Sequence, residues 1–198
     1  MFLNRFLMLP LVLTMFLFLV ALTTTSSSSL PGSGKKFEDF TLKDYKGGNH
    51  SLSDYSGSKA IVIMFIATKC PVSNAYNSRM EKIYNEYQGK GVSFLGINSN
   101  KAEDVDEIAE HAEENGLTFT ILKDEKNVIA DVFEASYTPE IYVLSNEFEL
   151  LYHGRIDNSK RESDVSVTDL ANTLSEILAG KEVSTPETKA FGCSIKRI

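Results

Sequence analysis

Residues 60–73 read Ala60-Ile61-Val62-Ile63-Met64-Phe65-Ile66-Ala67-Thr68-Lys69-Cys70-Pro71-Val72-Ser73. The first eight are apolar and rich in β-branched types, which predicts a strand buried on both faces, as in a parallel sheet. Pro71 opens a helical pattern, because the first helical turn does not need its N–H. Tyr76, Met80, Ile83, Tyr84 and Tyr87 follow on one helical face, and Gly89 and Gly91 stop it. Cys70 thus stands between the most apolar strand and a helix. A thiol there faces unpaired N–H groups and the positive end of the helix dipole, which favour the thiolate, and Lys69 adds a neighbouring positive charge. A thiolate attacks sulfur or peroxide oxygen. The competing reading is an inert cysteine in a core strand.

Working outward, Val92–Ile97 reads as a second strand, and 102–115 as an acidic helix with Val105, Ile108, Ala109 and Ala112 on its inner face. Phe119–Leu122 is a short strand and 126–134 a short helix. Ile141–Leu144 and Leu150–Ile156 are strands joined by a turn at Ser145-Asn146, close enough to form an antiparallel pair. Leu170, Leu174, Ile177 and Leu178 mark a last helix, and Phe40–Tyr55 an N-terminal hairpin. Strands alternating with helices imply an α/β fold with a mostly parallel sheet. The tail 181–198, with Pro186 and Phe191-Gly192-Cys193, has no helical pattern.

Residues 1–29 differ in composition, with Arg5 as their one charged residue. Phe6–Leu22 is an apolar run broken only by Thr14, and a Thr/Ser tract follows to Ser29. This reads as a secretory signal or a membrane anchor, and it predicts an exported protein, periplasmic or extracellular. Outside the reducing cytosol two cysteines can form a lasting disulfide. The 198 residues carry a formal charge of −7, which argues against nucleic acid as a partner. Two cysteines exclude a Cys₄ metal site, and three histidines leave little for a metal cage.

Phe65-Ile66-Ala67-Thr68-Lys69-Cys70-Pro71-Val72-Ser73 resembles the redox motif of the thioredoxin-like superfamily, particularly its redoxin branch of peroxiredoxin-like and exported thiol–disulfide oxidoreductases. Tyr137-Thr138-Pro139, before a strand, is similar to that superfamily's cis-proline loop, which sets a backbone edge opposite the reactive sulfur. Gly154-Arg155-Ile156-Asp157 also fits, and the extra strand and helix near 118–134 match the redoxin insertion. The resemblance covers roughly 36–180. It implies a central mixed sheet flanked by helices, Cys70 as nucleophile and a cis bond at Pro139. It also implies a protein disulfide or a hydroperoxide as substrate, an external thiol as reductant, and no cofactor. The membrane enters only through the N-terminal segment.

Departures from the family pattern bear on mechanism. Ser73 replaces the second cysteine of Cys-x-x-Cys, Lys69 replaces Trp, and Ile63 and Ala67 replace the Pro and Thr of the peroxiredoxin motif. A redox cycle needs a resolving thiol, and Cys193 is the candidate. From Gly180 the tail spans up to about 40 Å, against a radius of gyration near 15 Å for a domain of about 165 residues. Gly192 permits a close backbone approach or positive φ. Cys193 as resolving partner, as a permanent staple to Cys70, or as a link to another protein all stay open. Ser73 is read either as a hydroxyl donor to sulfur or as a helix cap.

A copper-handling or adaptor module on the same fold, using Cys70 with His153 or Cys193, is the alternative function. His153 reads as a core or rim histidine, and His50 and His111 as solvated. The acidic run from Glu103 to Glu114 reads as a solvated face, and Arg155 and Asp157 as a surface pair.

Overall fold

Alternate residues of the strand Ala60–Ile66 enter different cores. Ala60, Val62, Met64 and Ile66 join one hydrophobic cluster, and Ile61, Ile63 and Phe65 join the other. A strand sends successive side chains to opposite faces, so a wholly apolar strand is one covered on both sides. The computed structural model describes residues 34–198. The chain order is β1 (Thr41–Asp44), β2 (Asn49–Ser51), β3 (Ala60–Ile66), α1 (Pro71–Asn74), α2 (Asn77–Tyr87), β4 (Val92–Asn98), α3 (Val105–Glu114) and β5 (Thr120–Lys123). It continues with α4 (Val128–Phe133), β6 (Tyr137–Thr138), β7 (Glu140–Leu144), β8 (Leu150–Gly154), α5 (Asp169–Leu178) and β9 (Cys193–Ser194).

Seven strands form one sheet in the order β2-β1-β5-β4-β3-β7-β8. Only β3–β4 and β4–β5 pair in parallel, and the other neighbours are antiparallel. The sheet is therefore mixed, as the resemblance implied, and the mostly parallel sheet read from the alternation of strands and helices is corrected. The hairpin β1–β2 turns back to pair with β5, and β7–β8 is itself a hairpin, so neither edge is built by a crossover. Ile83, Ile108, Leu170, Leu174 and Ile177 lay α2, α3 and α5 on the first cluster, and Ile129, Ala130 and Phe133 lay α4 on the second.

The helix expected after Pro71 is two. The chain tightens at Tyr76, whose N–H donates to Ser73 O three residues back, and α2 starts anew at Asn77. Gly91, at φ 89°, then takes the left-handed conformation that turns the chain into β4. Val105, expected on the same face of α3 as Ile108 and Ala112, is the first residue of the helix and is exposed, while the other two are buried. Among the described residues no helix is long and apolar enough to cross a membrane. The apolar run Phe6–Leu22 lies outside the described residues.

Candidate active site

Cys70 follows β3 with extended backbone (φ −88°, ψ 113°) and is the N-cap of α1. Its Sγ accepts the Ser73 N–H at 3.2 Å and lies 3.3 Å from the Thr138 carbonyl oxygen. α1 is a single turn, so the sulfur's stabilisation comes from this amide more than from the dipole of a long helix. The Ser73 hydroxyl neither bonds sulfur nor caps. It accepts the Ala67 N–H at 3.2 Å, tying the helix start to the strand end, and the contact to sulfur belongs to the Ser73 backbone. Lys69 is also reassigned. Its Nζ donates to Ala102 O at 2.8 Å and pairs with Glu107 at 2.6 Å, so its charge is spent on α3.

Cys193 is bonded to Cys70, with Cα atoms 5.9 Å apart across 123 residues of sequence. The Thr138–Pro139 peptide is cis. β9 pairs antiparallel with β6, Thr138 opposite Cys193 and Tyr137 opposite Ser194, so the tail is a strand on the edge of the proline loop. Gly192 is needed for close approach. A Cβ there would overlap the Thr138 carbonyl oxygen, lie 2.7 Å from its carbon and stand 3.3 Å from Pro139 N.

The tail is anchored on both sides of the disulfide. His153 N–H donates to Pro186 O and Thr188 N–H to His153 O, so the tail covers the outer edge of β8. Phe191 packs edge-on to Tyr76. Beyond Cys193, Ile195 N–H donates to Ser136 O, Lys196 N–H to Asn100 Oδ1 and Lys101 N–H to Lys196 O. Arg197 reaches Asp131 and Ala135 O, and Ile198 N–H donates to Asn127 Oδ1. Cys70 is 4 % exposed, with Cys193 of the tail bonded to its sulfur and the Ser73 amide and Thr138 carbonyl beside it.

Three charged residues that the sequence reading passed over support this site. Glu140, buried beside the cis bond, accepts the Ser136 and Tyr137 N–H groups on one oxygen at 2.7 and 2.8 Å. On the other oxygen it takes the Tyr142 hydroxyl at 3.2 Å and His153 Nε2 at 2.7 Å. Burial alone would raise its pKa, but His153 and the two amides outweigh it and hold the carboxyl below its ordinary range. Desolvation and the Glu140 charge push the Tyr142 phenol up. A glutamate directly after proline in an apolar strand was the available signal.

Glu103, read as part of a solvated face, is buried. It accepts the Thr68 and Lys69 N–H groups at 2.8 and 3.1 Å and Asn98 Nδ2 at 2.6 Å, fixing the turn that delivers Cys70. It precedes α3, so it turns inward while the rest of the run follows the helix. Arg79 pairs with buried Asp157 at 2.5 Å, donates to Ser159 O and Lys160 O, and lies over the Tyr76 ring at 3.7 Å. Arg155 instead pairs with Asp169 at 2.8 Å, so Arg155 and Asp157 are not a surface pair. Burial and the Asp157 charge also push the Tyr76 phenol up.

His50 and His111 are half-buried and hydrogen-bonded rather than fully solvated. His50 is held between Asp44 at 3.0 Å and the Tyr55 hydroxyl at 2.8 Å, because the β1–β2 hairpin folds it onto both. His111 meets Asn77 Nδ2 at 3.1 Å, and burial against α2 lowers its pKa. His153, considered for copper, stacks on Tyr142 with ring centroids 4.4 Å apart and gives Nε2 to Glu140. Among the described residues no group of three or more His, Cys, Asp or Glu side chains is gathered as for a metal.

Similarity to known proteins agrees with this geometry. A solved structure of an uncharacterized conserved protein from Geobacillus kaustophilus is 32 % identical with a TM-score of 0.79, over 86 % of this chain and 94 % of that one. A hypothetical protein from Sinorhizobium meliloti 1021 superimposes with a TM-score of 0.78 at 29 % identity, over 87 % of this chain and 97 % of that one. The thiol-disulfide oxidoreductase ResA of Geobacillus kaustophilus (strain HTA426) is 30 % identical over 117 residues, which are 59 % of this chain and 66 % of ResA, just under two thirds of that relative's length. The model of the AhpC/TSA family matches residues 33–156, a span that holds Cys70 and Pro139 and stops short of Cys193. With more than half its length under that match, and with the mixed sheet, the cysteine after β3 and the cis-proline loop in place, the chain belongs to the AhpC/TSA family of the thioredoxin-like superfamily.

Proposed function

We propose that the chain is a thiol–disulfide oxidoreductase in which Cys70 is the nucleophile and Cys193 the resolving thiol. One observation carries this reading: the Cys70–Cys193 disulfide lies on the cis-proline edge, with an amide donor on the Cys70 sulfur. A thiolate at Cys70 attacks a target disulfide and forms a mixed disulfide, while the target's other sulfur leaves. Cys193 then attacks the Cys70 sulfur, the target leaves reduced, and the Cys70–Cys193 disulfide remains for an external thiol to reduce. The Ser73 amide steadies the Cys70 thiolate. Thr138 and Pro139 supply the backbone edge along which the partner cysteine is aligned.

Disulfide exchange is favoured over peroxide reduction because the Thr and Pro expected near a peroxidatic cysteine are Ala67 and Ile63 here. The apolar run Phe6–Leu22 and a disulfide in the site support work outside the reducing cytosol. The test compares wild type with Cys70→Ser and Cys193→Ser in reduction of 2-hydroxyethyl disulfide and of hydrogen peroxide. Cys70→Ser should abolish disulfide reduction, and Cys193→Ser should stop at a trapped mixed disulfide. Unchanged rates in Cys70→Ser sink the reading, and a faster, Cys70-dependent peroxide reaction replaces it with a peroxidase.

A further inference from the structure

Resting on that reading, we propose the substrate class of the same site: an extended polypeptide segment with glycine immediately before its reactive cysteine and an aliphatic residue two positions after it, Gly-Cys-x-aliphatic. The oxidised chain already displays such a segment bonded to Cys70, its own Gly192-Cys193-Ser194-Ile195. Main-chain pairing with Tyr137 and Thr138 holds the segment without reading its side chains. Selection enters at two flanking positions.

The residue before the cysteine meets backbone. A Cβ at Gly192 would overlap the Thr138 carbonyl oxygen and come within 2.7 Å of its carbon, and neither atom can rotate away as a side chain would. The third position is Ser194, which is exposed and imposes nothing. The fourth, Ile195, is 6 % exposed in the hydrophobic cluster that includes Ile97, Ile129 and Ala135, so a charged side chain there would be buried without a partner.

β6 has β9 as its partner in a two-stranded sheet, so when the tail departs its edge is open to another strand. Cys193 and a target cysteine need the same place opposite Thr138. Tail and target therefore alternate on one edge. In the first step the Cys70 thiolate displaces one sulfur of the target disulfide, which leaves as thiolate and takes a proton from solvent. The target cysteine then sits where Cys193 was. In the second step the returning Cys193 thiolate displaces it. Two electrons have passed from the Cys70/Cys193 dithiol to the target disulfide, so atoms and charge balance.

The experiment uses the reduced full-length chain and symmetrical disulfides of short peptides of sequence Phe-X-Cys-Ser-Z-Lys, with X Gly, Ala or Val and Z Ile or Asp. Each rate is divided by that peptide's rate with free glutathione, which removes intrinsic thiol reactivity. The Gly/Ile peptide should react roughly tenfold or more faster than the Ala/Ile, Val/Ile and Gly/Asp peptides. Normalised rates within about twofold of one another overturn the proposal. Reduction of 2-hydroxyethyl disulfide by wild type and Cys70→Ser runs alongside. If that rate depends on Cys70 and the peptides do not differ, the selectivity falls and the oxidoreductase stands. If it does not depend on Cys70, both fall.

Discussion

Replacing Glu140 should separate the architecture of the cis-proline edge from its chemistry. Glu140 is 3 % exposed and serves four donors, two on each carboxylate oxygen. In Glu140→Ala the Tyr142 hydroxyl, on a residue 2 % exposed, loses its acceptor, at about 1–3 kcal/mol for an orphaned buried group. The Ser136 and Tyr137 amides belong to exposed residues and recover water in part, so about 1 kcal/mol each is expected, for a total of about 3–5 kcal/mol. Glu140→Gln can keep both amides on its oxygen and turn its NH₂ toward Tyr142 and His153. It loses the charge assistance, about 1–2 kcal/mol. The folded pKa of Glu140 lies below the ordinary value, so its contribution is present above the unfolded carboxylate pKa of about 4.3 and is lost as pH falls through the folded value. The gap between wild type and Glu140→Gln should therefore close on acidification. Urea unfolding of oxidised and reduced protein at neutral and acid pH measures all three quantities. Where the loosened edge frees the tail, the disulfide should also become easier to reduce, by about 30 mV per 1.4 kcal/mol lost from the oxidised form alone. Stability of Glu140→Ala within about 0.5 kcal/mol of wild type would refute the reasoning.

The Cys70–Cys193 pair should have a reduction potential above about −300 mV if it turns over, whereas a staple lies below. Equilibration in dithiothreitol and glutathione buffers followed by thiol alkylation gives the number. Under oxidising conditions Cys193→Ser should lose about 5 kcal/mol of stability on the chain-entropy account of a loop closed across 123 residues, and reductant should bring wild type down to the same level in denaturant unfolding. Arg79→Ala should cost about 3–5 kcal/mol by leaving Asp157 charged, buried and unpaired, and Arg79→Met with Asp157→Leu should recover much of it in thermal unfolding. Burial lowers the His111 pKa, so its contribution is complete above the unfolded histidine value of about 6.5 and declines as pH falls toward the folded value. His111→Gln should flatten the stability–pH curve below the unfolded histidine value of about 6.5.

The parts of this molecule legible in its sequence are those with a short-range cause. Eight apolar residues before Cys70 leave little choice but a doubly covered strand, and the periodicity of α2 and α5 sets which sides they bury. The cis bond at Thr138-Pro139 was legible through the resemblance to the superfamily's loop, since a proline before a strand taken alone reads as a turn. The two hairpins were readable because short turns join their strands, and the mixed sheet came from the resemblance. The alternation of strands and helices misled on direction, because β1 and β7 lie antiparallel to β5 and β3, strands distant from them in sequence. The supporting carboxylates were missed for a related reason. Glu103 and Glu107 look alike in an acidic run, and only tertiary placement gives Glu103 two amides of the turn before Cys70 and leaves Glu107 with Lys69 and Thr68. Ser73 shows how side chain and backbone of one residue can exchange their expected roles, since the amide reaches sulfur and the hydroxyl reaches Ala67.

A proposed nucleophile that is 4 % exposed looks like a contradiction, and what surrounds it resolves it. Had α1 or the sheet enclosed Cys70, opening the site would mean breaking a hydrophobic cluster. The partner bonded to Cys70 is instead Cys193, on the two-residue strand β9 outside the family match at 33–156, with Gly192 just before it against the proline loop. Reduction removes the covalent bond that fixes the tail. What then holds the tail is a set of hydrogen bonds, Ile195 and Phe191, each worth a few kcal/mol or less. On the proposed cycle, an external thiol would enter at Cys193. Cys193 is the more exposed partner, and Cys70 carries the Ser73 amide on its sulfur, so attack at Cys193 expels the better-stabilised thiolate. On that reading closure and opening follow the redox state of one bond, whereas a staple would gain nothing from an amide donor on Cys70 or from a glycine pressed onto the proline loop.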